Sequence, residues 1–164
     1  MADILVRNAR LPKFSKPPET ADEGGLVDIT IEKGRFAAIT PAGKSSAARI
    51  IDAEGRLVSP PFSDPHLHLD AVLTVGDPRY NRSGTLLEGI RIWGERKKRL
   101  TLEDIKRRAY RAVSWEVAQG TTFIRTHADA SDPELITVKA LIELKEELEG
   151  FVDLQVVAFP QDGV

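Results

Sequence analysis

The sequence contains no cysteine, only three histidines and no long apolar run. Without thiols, disulfide bonds and thiolate zinc sites are excluded, so any metal must be held by imidazole and carboxylate groups. No stretch approaches the roughly 18 apolar residues of a membrane span. The N-terminal residues show no signal peptide. We therefore expect a cytoplasmic protein with no membrane partner.

Neither sign of charge is in large excess, since the formal net charge is −2. This balance argues against a dedicated nucleic-acid partner. Two basic clusters, residues 96–99 and 106–108, have acidic residues beside them and are interpreted as a solvated helix face. Trp93 and Trp115 lie on predicted helices and are interpreted as packing anchors.

The first part of the chain, residues 1–59, has the pattern of short strands. Residues 27–31 alternate apolar and polar side chains, and Lys33-Gly34 supplies a tight turn into residues 35–39, which predicts a hairpin. Residues 12–25 are rich in turn formers. We predict a small β-sandwich unit here.

From residue 60 to 164 the pattern changes to alternating strands and helices. Such alternation is typical of parallel α/β sheets. The predicted elements are helices over 85–100, over 102–119 with Thr101 as N-cap, and from Pro133 at the first helical position to a stop at Gly150, with strands over 121–127 and 151–159.

The fold class expected is α/β, a partial TIM-type (β/α)8 barrel with its first three strands, preceded by the β-sandwich unit. A closed barrel needs about 250 residues, so we expect residues 60–164 to be the first part of a truncated barrel within a longer protein. Three parallel strands expose an open edge that invites pairing. Aggregation or a homo-oligomer is therefore an expectation for the isolated chain.

His66 and His68 are two residues apart at the end of an apparent strand. Alternate side chains of an extended chain point to one face, so both imidazoles could reach one ion. Asp64 and Asp70 could accept from the imidazoles and fix their tautomers. Spacing alone is a weak signal, because most His-x-His pairs hold no metal.

The position of the pair strengthens the signal. His66, His68, His127 and Gln161 all fall at predicted strand ends. In parallel α/β folds, functional residues collect at the carboxyl ends of strands. Four polar residues at one edge of three strands are hard to assign to packing, although Gln161 alone has the composition of an ordinary turn residue.

Four segments, residues 60–70, 81–90, 125–129 and 153–163, resemble the bacterial cytosine deaminase group of the amidohydrolase superfamily. The likeness extends from about residue 57 to the end. It implies that His66 and His68 bind a single iron or zinc ion, which activates water for hydrolytic deamination. It also implies that Leu86 lines the base pocket and that Gln161 hydrogen-bonds a nucleobase-like small-molecule ring.

Other residues receive weaker roles. His127 is expected to support the site and not to bind the metal, and Asp70 is a weak candidate for contact near the metal. Arg125 and Asp129 could form an ion pair. The remaining ligands and the proton-transfer residues are expected beyond Val164, so no catalytic residue is assigned within this chain. The 164 residues alone are expected to be inactive.

Two other functions stay open. One is an amidohydrolase of the N-alkylammelide type acting on triazine rings, although the Asn-Arg-Ser-Gly-Thr-Leu segment at 81–86 favours the cytosine group. The other is a non-catalytic fragment that serves as a folding or interaction module. A nucleic-acid-binding module is a distant third, and salt-dependent binding would be its signature.

Overall fold

A computed structural model describes residues 2–12, 25–43 and 45–163. The chain divides into two compact units, residues 1–60 and 61–164, and each is described by itself. Most of the predicted turn-rich stretch, residues 13–24, lies outside the described residues, as does Val164. None of the helices within the described ranges is long and apolar enough to cross a membrane.

The first unit is a four-stranded sheet in the order β3-β2-β1-β4. Strand β2 pairs antiparallel with β1 and β3, and β4 pairs parallel with β1. The predicted hairpin is confirmed, and Lys33 and Gly34 turn with φ of 49° and 73°. The strands are β1 (Ala2–Ala9), β2 (Val27–Glu32), β3 (Arg35–Pro41) and β4 (Ala47–Asp52).

The second layer of the predicted β-sandwich is not confirmed, because the described part of residues 1–60 contains one sheet. Its buried side chains include Leu5, Val27 and Ile29, whereas Phe36 on β3 is 77% exposed. Val27 and Ile29 pack in one hydrophobic cluster, whereas Leu5 packs in another with Ala2 and Ala47.

The second unit holds three parallel strands in the order β5-β6-β7. This confirms the predicted mixed α/β arrangement of three parallel strands, with the sheet open. Helices α2 and α3 supply the core with residues such as Val113 and Leu141, which pack with Ile124 and Leu154 of the sheet. The elements are β5 (Phe62–Leu67), α1 (Leu86–Lys97), α2 (Leu102–Ala118), β6 (Thr121–Asp129), α3 (Ile136–Glu147) and β7 (Asp153–Phe159).

Helix α2 begins where the sequence predicts. The Thr101 hydroxyl accepts a hydrogen bond from the Asp104 N–H at 3.2 Å, which confirms the N-cap. Ile105, Ala109 and Val113 recur every four residues and are fully buried, so they form the face that packs on the core.

The predicted start of α3 at Pro133 is wrong, because the helix begins at Ile136. The Asp132 carboxylate accepts from the N–H groups of Glu134 and Ile136 at 3.0 and 3.4 Å and holds these residues in a turn. Leu135 then adopts a left-handed φ of 52°. That conformation cannot continue an α-helix, so helical geometry starts only after it.

The predicted solvated face of the basic clusters is also corrected. Arg96 and Arg108 are 7% and 5% exposed. Both donate to the Asp104 carboxylate, at 2.5 and 3.0 Å. Arginine can be buried in this way when its donors are paired. Trp115, expected as a packing anchor, is instead 51% exposed beneath the Arg111 guanidinium.

Candidate functional site

The three histidines of the chain come together at the carboxyl ends of β5 and β6. The Nε2 atoms of His66 and His68 lie 3.3 Å apart. The rings of His66 and His127 stack with centroids 4.1 Å apart and planes inclined by 22°. Phe159, the last residue of β7, meets the His68 ring edge-on at 5.4 Å. One cluster thus draws on all three strands.

A register shift in β5 brings the histidines into this arrangement. Asp64 pairs with Ile124 and Leu67 with Thr126, so β5 uses three residues where β6 uses two. The Asp64 carboxylate accepts the His66 N–H at 2.9 Å and holds the extra residue. Bulges re-aim side chains. Simple strand alternation predicted the convergence but not this irregularity.

Asp70 is the buried acid of the cluster, only 1% exposed. Its Oδ2 accepts the Asp129 N–H at 2.8 Å, and its Oδ1 lies 4.0 Å from His68 Nδ1. Among the described residues, Oδ1 has no hydrogen-bond partner. Burial raises the pKa of Asp70, although the Asp129 N–H and the charge of His68 act in the opposite direction.

His127 lies beneath His66 in the stack, and its Nδ1 is buried with no hydrogen-bond partner in the described ranges. Burial lowers the pKa of His127, and the neighbouring His66 and His68 lower it further. Protonation of His127 is therefore disfavoured beside the other two rings.

The separation of the two Nε2 atoms suits a shared cation. Two nitrogens that each lie about 2.0–2.1 Å from a tetrahedral ion are about 3.3 Å apart. Among the described residues, no group of three or more His, Asp or Glu side chains is arranged to hold a metal ion. The donor set of His66 and His68 therefore fits part of a coordination sphere, and a catalytic zinc site ordinarily has three protein ligands.

The two residues predicted to contact a ring occupy different elements. Gln161 follows β7 in a turn closed by the Gly163 N–H, which donates to the Pro160 carbonyl at 3.1 Å. Phe159, directly before this turn, contacts the His68 ring. The turn therefore begins near the histidines. Leu86 is the first residue of α1 and is 78% exposed.

Lys97 is a functional candidate that the sequence did not reveal. Its ammonium lies 2.9 Å from Asp129 Oδ2 and 2.5 Å from Asp162 Oδ2. Burial alone would lower the pKa of Lys97, but hydrogen bonds to Asp162 and Asp129 outweigh burial and raise the pKa. Its place inside a basic run, residues 96–99, concealed the contact.

The predicted ion pair between Arg125 and Asp129 does not form. Arg125 donates from Nε to the Gln155 amide oxygen at 2.7 Å. Asp129 Oδ2 instead accepts from Lys97 and from the Trp93 indole at 2.9 Å. Residues 125 and 129 stand four apart on one strand, so their Cα atoms lie about 13 Å apart along it.

The fold agrees with comparisons to known proteins. The amidohydrolase family profile matches residues 49–164, and the chain belongs to this family. The structure is similar to that of 5-methylcytosine deaminase from Klebsiella pneumoniae liganded with 5-fluorocytosine, with a TM-score of 0.86 and 41% identity over 98% of this chain and 37% of that one.

Two curated relatives are similar along nearly the whole chain. N-isopropylammelide isopropyl amidohydrolase of Pseudomonas sp. (strain ADP) is 34% identical over 98% of this chain and 39% of its own length. Pterin deaminase of Rhizobium rhizogenes (strain K84) is 31% identical over 98% and 38%. The chain thus spans less than two fifths of the length of these relatives.

Proposed function

We propose that the protein carrying this chain hydrolyses the exocyclic C–N bond of cytosine or a related pyrimidine. Water adds to the amine-bearing ring carbon, the C–N bond breaks, and ammonia leaves while the oxygen stays on the ring. Residues 60–164 would be the first part of the metal-dependent hydrolase barrel that carries out this reaction, preceded by the sheet of residues 1–59. The convergence of His66 and His68 Nε2 at 3.3 Å carries the proposal.

His66 and His68 would hold one divalent iron or zinc ion. When bound, such an ion supplies Lewis-acid activation of water near neutral pH. Imidazole suits both metals. Asp70, whose Oδ1 lies 4.0 Å from His68 Nδ1, would orient that ring from behind. His127 would support His66 by stacking.

Gln161 would identify the ring. Its side-chain amide offers one acceptor oxygen and one donor nitrogen, which matches the adjacent C=O and N–H groups of a cytosine edge. Leu86 would supply apolar surface from α1. The other metal ligands and the proton-transfer groups would come from sequence outside these 164 residues.

The choice of a pyrimidine is supported by the 41% identity to 5-methylcytosine deaminase. A triazine substrate is the second candidate, because the ammelide relative is 34% identical over 98% of the chain. Both reactions remove an amine from a nitrogen heterocycle and would use the same histidines.

The test measures release of the leaving amine by the purified intact protein, which is isopropylamine for N-isopropylammelide and ammonia for the other substrates. The substrates are cytosine, 5-methylcytosine, isocytosine, N-isopropylammelide and pterin, with zinc or iron added in separate reactions. We expect the highest kcat/KM on cytosine or 5-methylcytosine. His66→Ala and His68→Ala should each lower turnover and bound metal by at least about 100-fold. Lys98→Met, at an exposed position after α1, is the control and should change neither. Faster turnover of the ammelide, or no ammonia from any pyrimidine, would overturn the proposal.

A further inference from the structure

We propose that Lys97 is a positioning residue for ring recognition, holding the turn that carries Gln161. This inference rests on the proposed function, since Gln161 is the residue proposed there to identify the ring. Lys97 does not touch the ring itself. It acts through Asp162, the next residue along the turn.

The turn has two anchors at Asp162. The Asp162 carboxylate accepts from Lys97 Nζ at 2.5 Å, and the Asp162 N–H donates to the Ser131 hydroxyl at 2.9 Å. Gly163, with a φ of 93°, closes the turn by donating its N–H to Pro160. Gln161 lies between Pro160 and Asp162, so its backbone is fixed on both sides.

Asp129 connects these anchors to the histidine cluster. Its Oδ1 accepts the Ser131 N–H at 2.9 Å, and its Oδ2 accepts from Lys97 at 2.9 Å. Its own N–H donates to Asp70 at 2.8 Å. Asp129 is 3% exposed and the Lys97 side chain 15%, so solvent screens this pair less than a surface ion pair.

Lys97 therefore ties together three segments that would surround a bound ring. It lies in the last turn of α1, the helix that begins with Leu86, and it reaches both the end of β6 and the turn after β7. Without the ammonium, the carboxylates of Asp129 and Asp162 would face each other with no cation between them. Their repulsion would move the turn and Gln161 with it.

Lys97→Met in the intact protein keeps the length of the side chain and removes its charge. We expect KM for cytosine to rise about tenfold with kcat within about threefold, because a lost binding contact acts on both the ground and transition states. Lys97→Arg, which keeps the positive charge, should have a KM close to the wild-type value. Lys98→Met is the matched control and should leave KM unchanged.

A double-mutant cycle with Gln161→Ala tests whether Lys97 acts through Gln161. If it does, Lys97→Met adds no further rise in KM once Gln161 is alanine. Multiplying effects in the double variant would overturn the inference, as would a fall in kcat with KM unchanged. A residue that only stabilises the fold would not produce this non-additivity.

Hydrogen exchange keeps this inference separate from the proposed function. In Lys97→Met, amides 161–163 should exchange about tenfold faster than in the wild type or in Lys98→Met. This readout needs no activity, so it tests Lys97 even if no ring is turned over. Unchanged exchange in this turn would overturn the positioning role, whereas absent turnover with faster exchange would overturn only the proposed function.

Discussion

The backbone N–H of Asp129 donates to the carboxylate of Asp70 at 2.8 Å, joining the end of β6 to the segment that follows β5. This bond uses one oxygen of Asp70 and leaves the other turned toward His68 Nδ1, 4.0 Å away. The carboxylate is thus fixed by a strand backbone before any ligand binds. Partners of this kind orient metal-binding imidazoles.

Asp70→Asn should weaken metal binding and preserve the fold. The asparagine oxygen can still accept the Asp129 N–H, but the neutral amide cannot stabilise the imidazole as a carboxylate does. We expect zinc affinity, measured by competition with a chromophoric chelator, to fall about 10–100-fold. Asp153→Asn, at an exposed position of β7, is the control and should bind zinc like the wild type. Equal affinity in Asp70→Asn would exclude the orienting role.

Arg108 supports the same segment from α2. Its Nη1 donates to the carbonyls of Asp70 and Val72 at 2.9 and 2.7 Å, and the residue is 5% exposed. Arg108→Met would leave these carbonyls and the Asp104 carboxylate short of donors. We expect the free energy of unfolding, measured by urea denaturation, to fall by about 2–4 kcal/mol.

The adjacent Arg107 provides the matched control for that change. Its side chain is 74% exposed and makes a single ion pair with Asp104 at 2.7 Å. Arg107→Met should cost no more than about 0.5 kcal/mol. If the two variants were equally stable, burial of Arg108 would contribute nothing and its assigned role would be wrong.

Local chemistry explains which elements were predictable. The Lys33-Gly34 turn and the Thr101 cap involve neighbours in sequence, so their residue types were sufficient. The histidine pair was also visible, since a two-residue spacing predicts a shared face. Its bulge was not, because the shift depends on which residues of β6 lie opposite.

Contacts between distant residues were the ones missed. Lys97 meets Asp162 across 65 positions of sequence, and Arg108 meets Asp70 across 38. A basic run beside acidic residues favours a solvated helix face when only neighbours are considered. Tertiary packing instead buried Arg96 and Arg108, and both pair with the Asp104 carboxylate. Helical spacing does distinguish Arg108 from exposed Arg107, because Arg108 lies three residues after Ile105 on the apolar face of α2.

The start of α1 should respond to acid. The Ser83 hydroxyl and N–H donate to Glu88, and with smaller help from Arg79 they lower the pKa of Glu88 from its ordinary value of 4.5 to about 2. A depressed folded-state pKa gives stability that is full above the unfolded value and is lost as pH falls toward the folded one. Between about pH 4.5 and pH 2, the wild type should therefore lose more Tm than Glu88→Gln. Glu149→Gln, at an exposed position, should follow the wild type, and parallel Tm curves for Glu88→Gln and wild type would contradict the assignment.

Leu141 and Ile142 are adjacent on α3, so a comparison of their alanine variants separates the effect of burial from that of helix propensity. Leu141 is fully buried in the core beneath the sheet, whereas Ile142 is 46% exposed. Leu141→Ala should lower the free energy of unfolding by about 2–5 kcal/mol, because it removes apolar contacts and leaves a cavity. Ile142→Ala gains helix propensity and loses little buried area, so its cost should stay below about 1 kcal/mol. Urea denaturation of both variants measures the difference. Similar losses would mean that Ile142 is covered in the intact protein, and a small loss for Leu141→Ala would contradict the core described for residues 61–164.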